Sequence, residues 1–351
     1  MGHNGNTVLV GFDLGYGNAK CVATQGGEFL APITLPVGAA EADKAGKDLN
    51  GQTDFSQGVE VYIGGKSWIA GVEPTQLQGG FARQTHDKFV STPEYKAMAL
   101  ALMSKLNVPE IDYLVTGLPC SDFLGNDAKA LKSTIVKQLR GEHWVNAKQR
   151  CRVNNVLVVT QPLGAYVRMM NSDETFIHDA DALTLICDIG YGTADWCVLQ
   201  GGKLWDENSG SSLEATSRIL EQAAVKIVKD FNGNKLSAAR LEHLYRNGET
   251  VLHLGGEKIP YQMYLHDAAR EISRRVMANV ASSMRTLKDS VSQILLTGGG
   301  APLYEIAARE AFSSLSPMAI KVDSEPVLAN AYGFQMMAVE AFNQSQGNIA
   351  A

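Results

Sequence analysis

Residues 12–30 and 187–205 are two versions of one segment. The first reads FDLGYGNAKCVATQGGEFL and the second CDIGYGTADWCVLQGGKLW. They align without a gap at an offset of 175, Asp13 on Asp188, and 8 of 19 positions are identical. The shared residues are an Asp, two Gly around a Tyr, an Ala and a Gln-Gly-Gly. This duplication constrains the fold more than any single motif in the chain. It predicts two half-molecules of similar construction. A carboxylate beside a glycine turn in each half points to a phosphate chain with its metal.

Each copy has a physical reading. Residues 8–14 and 183–189 are short apolar runs of the length of buried strands. Each ends in an Asp and a Gly-rich turn, where glycine lets the backbone bend sharply and bring its N–H groups to a ligand. A second strand follows (19–25 and 194–200), then a Gly-Gly turn of the tight-hairpin type, then a third strand near Glu28 or Lys203. Each half therefore opens as a three-stranded meander. The Asp stands at the mouth of the first turn, where a carboxylate can hold the water shell of Mg²⁺. One such turn alone is common and proves little; two in register are much harder to explain as ordinary hairpins.

Other phosphate signatures fail. Gly64-Gly65-Lys66-Ser67 resembles the end of a P-loop, but the required earlier glycine position holds Glu60, and Lys66 reads as a turn residue of a small β element. Neither Gly15-x-Gly17 nor Gly190-x-Gly192 completes a dinucleotide fingerprint, because the last glycine position holds Lys20 or Asp195.

Composition narrows the class. A chain of 351 residues predicts about two domains. Net charge of −6 does not suggest a general nucleic-acid surface. Five Cys without a C-x-x-C pair argue against a disulfide framework or a zinc site, and Cys187 and Cys197 fall in strand runs. The seven His show no metal-ligand spacing. No apolar run reaches membrane-spanning length and residues 1–7 are not signal-like, so no membrane partner is expected and the cytoplasm is the expected location.

Between the repeats, 36–57 reads as a loop or insertion, 59–63 and 67–70 as short strands, and 71–90 as irregular. Thr92 and Pro93 open a helix running to 106. A strand is expected at 111–117, a helix at 129–139, and a strand at 156–160 followed by a helix opening on Gln161-Pro162-Leu163-Gly164-Ala165. Helices are expected at 214–231, 238–245 and 266–288, the last with Ile272, Val276 and Val280 on one face. A strand at 291–296 ends in Thr297-Gly298-Gly299-Gly300-Ala301, followed by a helix at 303–312; a final helix spans 327–342, with a frayed polar tail after it. Three consecutive Gly exceed what a strand-to-helix turn needs, so Gly298, Gly299 and Gly300 are read as backbone against which adenine or ribose lies.

The set D-L-G-x-G-N, D-I-G-x-G-T and T-G-G-G-A, in this order and strand context, resembles the actin/Hsp70/hexokinase ATPase superfamily across nearly the whole chain. Val115-Thr116-Gly117-Leu118-Pro119 followed by Phe123, and the PVLANAYGF stretch at 326–334, resemble the bacterial actin-like ATPases of the plasmid-segregation (ParM/StbA-like) group. The length leaves no room for an Hsp70 peptide-binding domain. The resemblance implies an α/β, actin-like (ribonuclease H-like) fold: two similar domains with mixed five-stranded sheets around a nucleotide cleft. Domain I would be 1–160 plus 327–343 with a small subdomain at about 37–90, domain II 161–326 with one at about 215–290, and 344–351 a polar tail.

The resemblance also implies roles. Asp13 and Asp188 would bind Mg²⁺ through water. Gly15, Tyr16, Gly17 and Asn18, with Lys20 near them, and Gly190, Tyr191, Gly192 and Thr193 would surround the phosphates of ATP, with GTP as the alternative nucleotide. Asp188 and Gln161 would be catalytic, Gln161 aligning the attacking water; actins have Gln there and several bacterial relatives Glu. A neutral Gln is no strong base, so slow hydrolysis is expected. Gly298, Gly299, Gly300 and Ala301 would line the adenosine. Gly210, Glu214 and Arg218 would hold the nucleoside, although Glu214 and Arg218 have the i,i+4 spacing of a simple surface pair. Tyr16 and Tyr191 depart from the small or hydroxyl residues of many relatives, and Asp195 either adds a carboxylate to the second copy or only points to solvent.

Three functions are open at this point. One is a filament-forming ATPase that segregates plasmid DNA, its partners being itself and a centromere-binding adaptor protein rather than DNA. A second is a small-molecule kinase, for which Asp122 is the candidate catalytic Asp. A third is a regulatory ATPase that does not polymerise. Two basic groups, Arg274, Arg275, Arg285 and Lys288, and the cluster at 140–152, read equally as docking surfaces or as solvated faces.

Overall fold

The computed structural model describes residues 5–47, 51, 58–77, 89–231 and 235–349. They form two compact units, one of residues up to 176 together with those from 328 onward, the other of residues 177–327. Parts of the expected insertion at 36–57 and of the irregular stretch at 71–90 lie outside the described residues.

The first unit is built on β1 (Val8–Leu14), β2 (Asn18–Gln25), β3 (Glu28–Phe29), β4 (Glu110–Leu118) and β5 (Arg150–Thr160), in the order β3-β2-β1-β4-β5. The meander β1-β2-β3 is antiparallel, and β4 and β5 run parallel to β1 and to each other. Short strands add to this frame: Gly141–Trp144 on the outside of β5 and Ile33–Pro36 on β2. All seven residues of β1 are buried, as its unbroken apolar run requires of a central strand. Its period of two sends Val8, Val10, Phe12 and Leu14 into the larger core, and Asp13 to the other face.

Helix Pro93–Leu106 packs into that core. Thr92 caps it by accepting the Tyr95 N–H on its hydroxyl at 3.2 Å, Pro93 opens it, and Asn107 ends it in the left-handed conformation. The opposite face carries helix Gln161–Ser172 and the C-terminal helix Ala329–Ile349, with Leu9, Val115, Val159, Phe334 and Ala338 forming a second apolar cluster. The helix opening on Gln161, which the sequence reading gave to the second domain, thus packs with the first unit. The tail expected to fray after 342 instead continues the last helix to Ile349.

The second unit repeats the plan with β6 (Leu183–Ile189), β7 (Ala194–Gln200), β8 (Lys203–Leu204), β9 (Val291–Thr297) and β10 (Ile320–Val322), ordered β8-β7-β6-β9-β10. Gly210–Ser212 adds a short strand on β7. The duplicated segment therefore seeds two sheets with one five-strand order. Leu183, Leu185, Cys187 and Ile189 face a core filled by helices Thr216–Asp230, Gln262–Met284 and Ala301–Ala311, which leaves Asp188 on the other face, as Asp13 is in the first unit.

The P-loop look-alike is a hairpin. Gly64 and Gly65, both at positive φ, turn Val59–Ile63 into Lys66–Ala70, and Lys66 pairs with Glu41 at 2.8 Å. The five cysteines are buried and form no disulfide.

One charged group stands out in the first unit. The Lys96 ammonium is mostly buried; it donates to the Gln138 carbonyl and lies 3.0 Å from His143 Nδ1. His143 Nε2 lies 2.7 Å from the Leu139 carbonyl, which sets the tautomer with the proton on Nε2 and leaves Nδ1 as acceptor. Burial lowers the Lys96 pKa to about 8. An unfolded Lys titrates near 10.4. Below pH 8 the folded state bears the full cost of the buried charge; between the two values the unfolded state binds more protons, so stability rises with pH. Lys96→Met is expected to stabilise the protein at pH 7 by about 1–2 kcal/mol, the gain being reduced by the orphaned Nδ1. The gain should shrink between pH 8 and 10.5, as read from chemical denaturation at each pH; a gain independent of pH would refute the assignment.

Candidate nucleotide site

The two carboxylates of the repeat sit in matching places with opposite neighbours. Asp13 pairs in register with Lys20 across β1 and β2, and the Lys20 ammonium lies 2.8 Å from Asp13 Oδ2, both side chains being largely buried. Asp188 pairs in register with Asp195 across β6 and β7. Asp195 is buried and accepts a hydrogen bond from the Ser211 hydroxyl. One copy of the turn thus carries its own cation, whereas the other sets two carboxylates on one face of neighbouring strands.

In the first unit, the turn after Asp13 is tied down by its Tyr. The Tyr16 ring lies 5.4 Å from Phe89, which meets Tyr95 edge-on at 5.5 Å. Tyr16 therefore anchors the turn to helix Pro93–Leu106. Gly17 O accepts from Val37 N at 3.0 Å, and Asn18 begins β2. Gln161 ends the β5 side of the same region. It is 8% exposed. Leu14, Gly15, Tyr16, Gly117, Asp122 and Gln161 line one small recess. Gly117 has to be glycine there, because a Cβ would lie 2.8 Å from Gln161 Cγ and 2.6 Å from the Phe334 ring.

In the second unit, the turn closes on itself through Gly190 N to Thr193 O at 2.9 Å, with Gly192 buried inside it. It receives the start of helix Thr216–Asp230: Thr216 Oγ1 donates to Gly190 O at 2.8 Å and Ser217 N to Tyr191 O at 2.9 Å. Tyr191 is partly buried against the core of this unit. The third glycine cluster adjoins the turn, with Gly300 N donating to Ile189 O at 2.9 Å.

Two family models match consecutive parts of the chain. One describes the N-terminal domain of actin-like proteins and covers residues 11–164; the other describes the C-terminal part of archaeal MreB-like actin homologues and covers residues 186–308. The chain is an actin-like protein. Solved structures share the fold of this actin-like protein. An archaeal actin homolog, Ta0583, in complex with ADP is 17% identical, over 95% of this chain and 100% of that one, with a TM-score of 0.72. A ParM from a 15-stranded filament of Clostridium botulinum is 18% identical over 95% and 99%, with a TM-score of 0.72. The actin-like protein Alp7A is 17% identical over 97% and 98%, with a TM-score of 0.71. No curated protein sequence matches significantly.

The third loop of this actin-like protein is more internally committed than its sequence suggests. Gly298 sits at φ +82, where a Cβ would fall 2.5 Å from Asp188 Oδ1 and 2.4 Å from Ile189 O. At Gly300 a Cβ would fall 2.3 Å from Thr216 Oγ1. These two glycines are demanded by the protein itself. Gly299 is exposed, and a Cβ there would meet only the Val327 side chain, at an ordinary 3.7 Å, so no such constraint holds it. Ala301 starts helix Ala301–Ala311 and is buried.

The nucleoside candidates are likewise held by neighbours that sequence spacing did not reveal. Glu214 does not pair with Arg218. It binds Arg275, with Arg275 Nε donating to Glu214 Oε2 at 2.7 Å and Nη2 to Oε1, while Arg218 pairs with Glu221 at 2.6 Å. Gly210 lies under the Trp196 ring, 2.7 Å from where its Cβ would be. Two of the four residues of the candidate basic group are paired within the unit, Arg275 with Glu214 and Arg274 in a two-point contact with Glu310 at 2.7 Å. In the 140–152 cluster, His143 is interior, and Arg150 stacks on Trp144 at 3.7 Å and pairs with Glu142. Among the described residues, no helix is long and apolar enough to cross a membrane.

Proposed function

We propose that this actin-like protein binds ATP with Mg²⁺, hydrolyses it slowly, and assembles into filaments that segregate plasmid DNA through a centromere-binding adaptor protein. The observation that carries this reading is the duplicated Asp-Gly turn at the same place in two sheets of one strand order. Membership of the actin-like proteins and the fold shared with a ParM filament subunit and Alp7A support assembly. The fold shared with an ADP-bound actin homolog supports the nucleotide.

The residues fit the groups assigned to them. Backbone N–H groups at Gly15–Asn18 and Tyr191–Thr193 suit phosphate oxygens, and Lys20 lies within reach of Gly15, whose Cβ position is 3.5 Å from Lys20 Nζ. The facing carboxylates of Asp188 and Asp195 suit a hydrated divalent cation, which Asp13, already paired with Lys20, needs less. Mg²⁺, when bound, supplies positive charge to the phosphate oxygens. Gln161 offers both a donor and an acceptor to the attacking water, and Asp188 orients water on its side.

Gln161→Ala should lower single-turnover phosphate release roughly 10- to 100-fold while ATP binding, followed with a fluorescent analogue, stays within about threefold. Loss of binding would make Gln161 a structural residue. The whole reading is tested by sedimentation and phosphate release on one sample, with and without ATP and Mg²⁺, across protein concentration. Pelleting above a critical concentration with phosphate release supports it; release without pelleting removes the filament and leaves the ATPase; neither refutes both. The adaptor is tested by whether a protein encoded beside this chain and bound to its DNA site nucleates or caps the polymer.

A further inference from the structure

We infer that Asp122 is a catalytic residue of hydrolysis, accepting the proton of the attacking water that Gln161 holds. This rests on the nucleotide reading above and goes beyond it by adding a base. An amide aligns water but cannot take its proton, whereas a carboxylate beside it can.

The structure supplies a carboxylate in the right place. Asp122 lies on the short helix Cys120–Leu124, just beyond the Gly117-Leu118-Pro119 end of β4. Thr160 pairs with Leu118 in parallel register, which brings the end of β5, and hence Gln161, beside the same strand end. Asp122 and Gln161 then line one recess with Gly15 and Tyr16 of the first glycine turn. Gly117 keeps its floor open, since any side chain there would strike Gln161 and Phe334. The recess is of water size, too small for a sugar or another phosphoryl acceptor, which favours water as the reactant over the small-molecule kinase reading of the same Asp.

The step balances without another reactant. Water oxygen bonds to the γ-phosphorus, the bond from that phosphorus to the bridging oxygen breaks, ADP leaves with that electron pair, and a proton passes from the water to the Asp122 carboxylate. Among the described residues, the titratable groups near the recess include the Cys120 thiol on the helix of Asp122, the Tyr16 phenol across the recess, the Lys20–Asp13 pair beside Gly15, and Lys132 of helix Ala128–Leu139, whose ammonium is 3.3 Å from the ring centre of Phe123. Cys120 is buried.

The test is single-turnover phosphate release from ATP·Mg²⁺ between pH 4.5 and 8.5 for the full chain, Asp122→Asn and Asp122→Glu, with ATP binding and thermal unfolding measured on each. Expected for Asp122→Asn are a rate at least tenfold lower at pH 7.5, binding within about threefold, and loss of the acid limb that the unsubstituted protein shows; Asp122→Glu should restore both rate and limb in part. An Asp122→Asn variant with the unsubstituted rate, or one with a lower rate but an unchanged acid limb, overturns the assignment. If Asp122→Asn does not fold, an Asp122→Glu variant with an unmoved rate and pH profile overturns it. Absence of phosphate release from a protein that binds ATP overturns the hydrolysis reading and this proposal together, whereas a failed Asp122 with intact hydrolysis leaves that reading standing.

Discussion

Asp188→Ala is expected to lower phosphate release at least about 100-fold and leave the second unit folded. Asp188 is the residue where the repeat, the sheet and the third glycine loop converge. It ends β6, faces Asp195 across the strand pair, and its Oδ1 fills the space that a side chain on Gly298 would take. The carboxylate points away from the core that Leu183, Leu185, Cys187 and Ile189 build with the helices, so its removal opens no cavity there. It also removes one of two like charges held in register. Thermal unfolding should therefore stay close to that of the unsubstituted protein. Unchanged phosphate release would sink the site assignment; collapse of the fold would make Asp188 structural. The matching Asp13→Ala is not equivalent, because it strands the Lys20 ammonium in a largely buried place.

Gly333→Ala should destabilise the protein by more than about 3 kcal/mol. In a helix interior the change would ordinarily gain about 1 kcal/mol, since glycine is a poor helix former. Here a Cβ would lie 1.7 Å from the Gly164 carbonyl oxygen, a backbone atom that cannot turn aside. The C-terminal helix crosses helix Gln161–Ser172 at this pair of glycines, and from the other side a Cβ on Gly164 would lie 2.6 Å from Asn330 O. The close approach also lets Asn330 Oδ1 accept the Ala165 N–H at 3.2 Å. The same helix comes within 2.1 Å, at Ala331 O, of where a Cβ on Gly11 of β1 would sit. A shift of the helix would disturb Phe334 and, through it, the Gly117 floor beneath Gln161, so phosphate release should fall along with stability. Denaturant unfolding with no loss of midpoint would show that this packing is wrong.

Much of the fold was legible because local chemistry and tertiary need agreed. Thr92-Pro93 had to open a helix, Gly64-Gly65 had to turn a hairpin, and apolar runs of seven residues had to be central strands. The repeat carried more than local information, since two copies of one meander implied two copies of one sheet order. The tertiary structure decided what depends on partners distant in sequence. Glu214 is i,i+4 from Arg218, but a bidentate guanidinium from the neighbouring helix, Arg275, outcompetes that surface pair. Three glycines in a row looked like one ligand surface, yet Gly298 and Gly300 answer to Asp188, Ile189 and Thr216. The helix at Gln161 reads as the start of a new half, but Gly164 on it packs directly against Asn330 and Gly333 of the last helix.

By itself the sequence determined the two strand-turn-strand copies, the carboxylate at the end of each, and the opposite charges of Lys20 and Asp195 that distinguish them. Period-two burial then forced Asp13 and Asp188 to the face away from the larger core. Only the tertiary structure decided which glycines the packing requires and which carboxylate shares a recess with Gln161. Those outcomes rest on distances between residues far apart in the chain, and such distances are set by how helices and sheets close on one another.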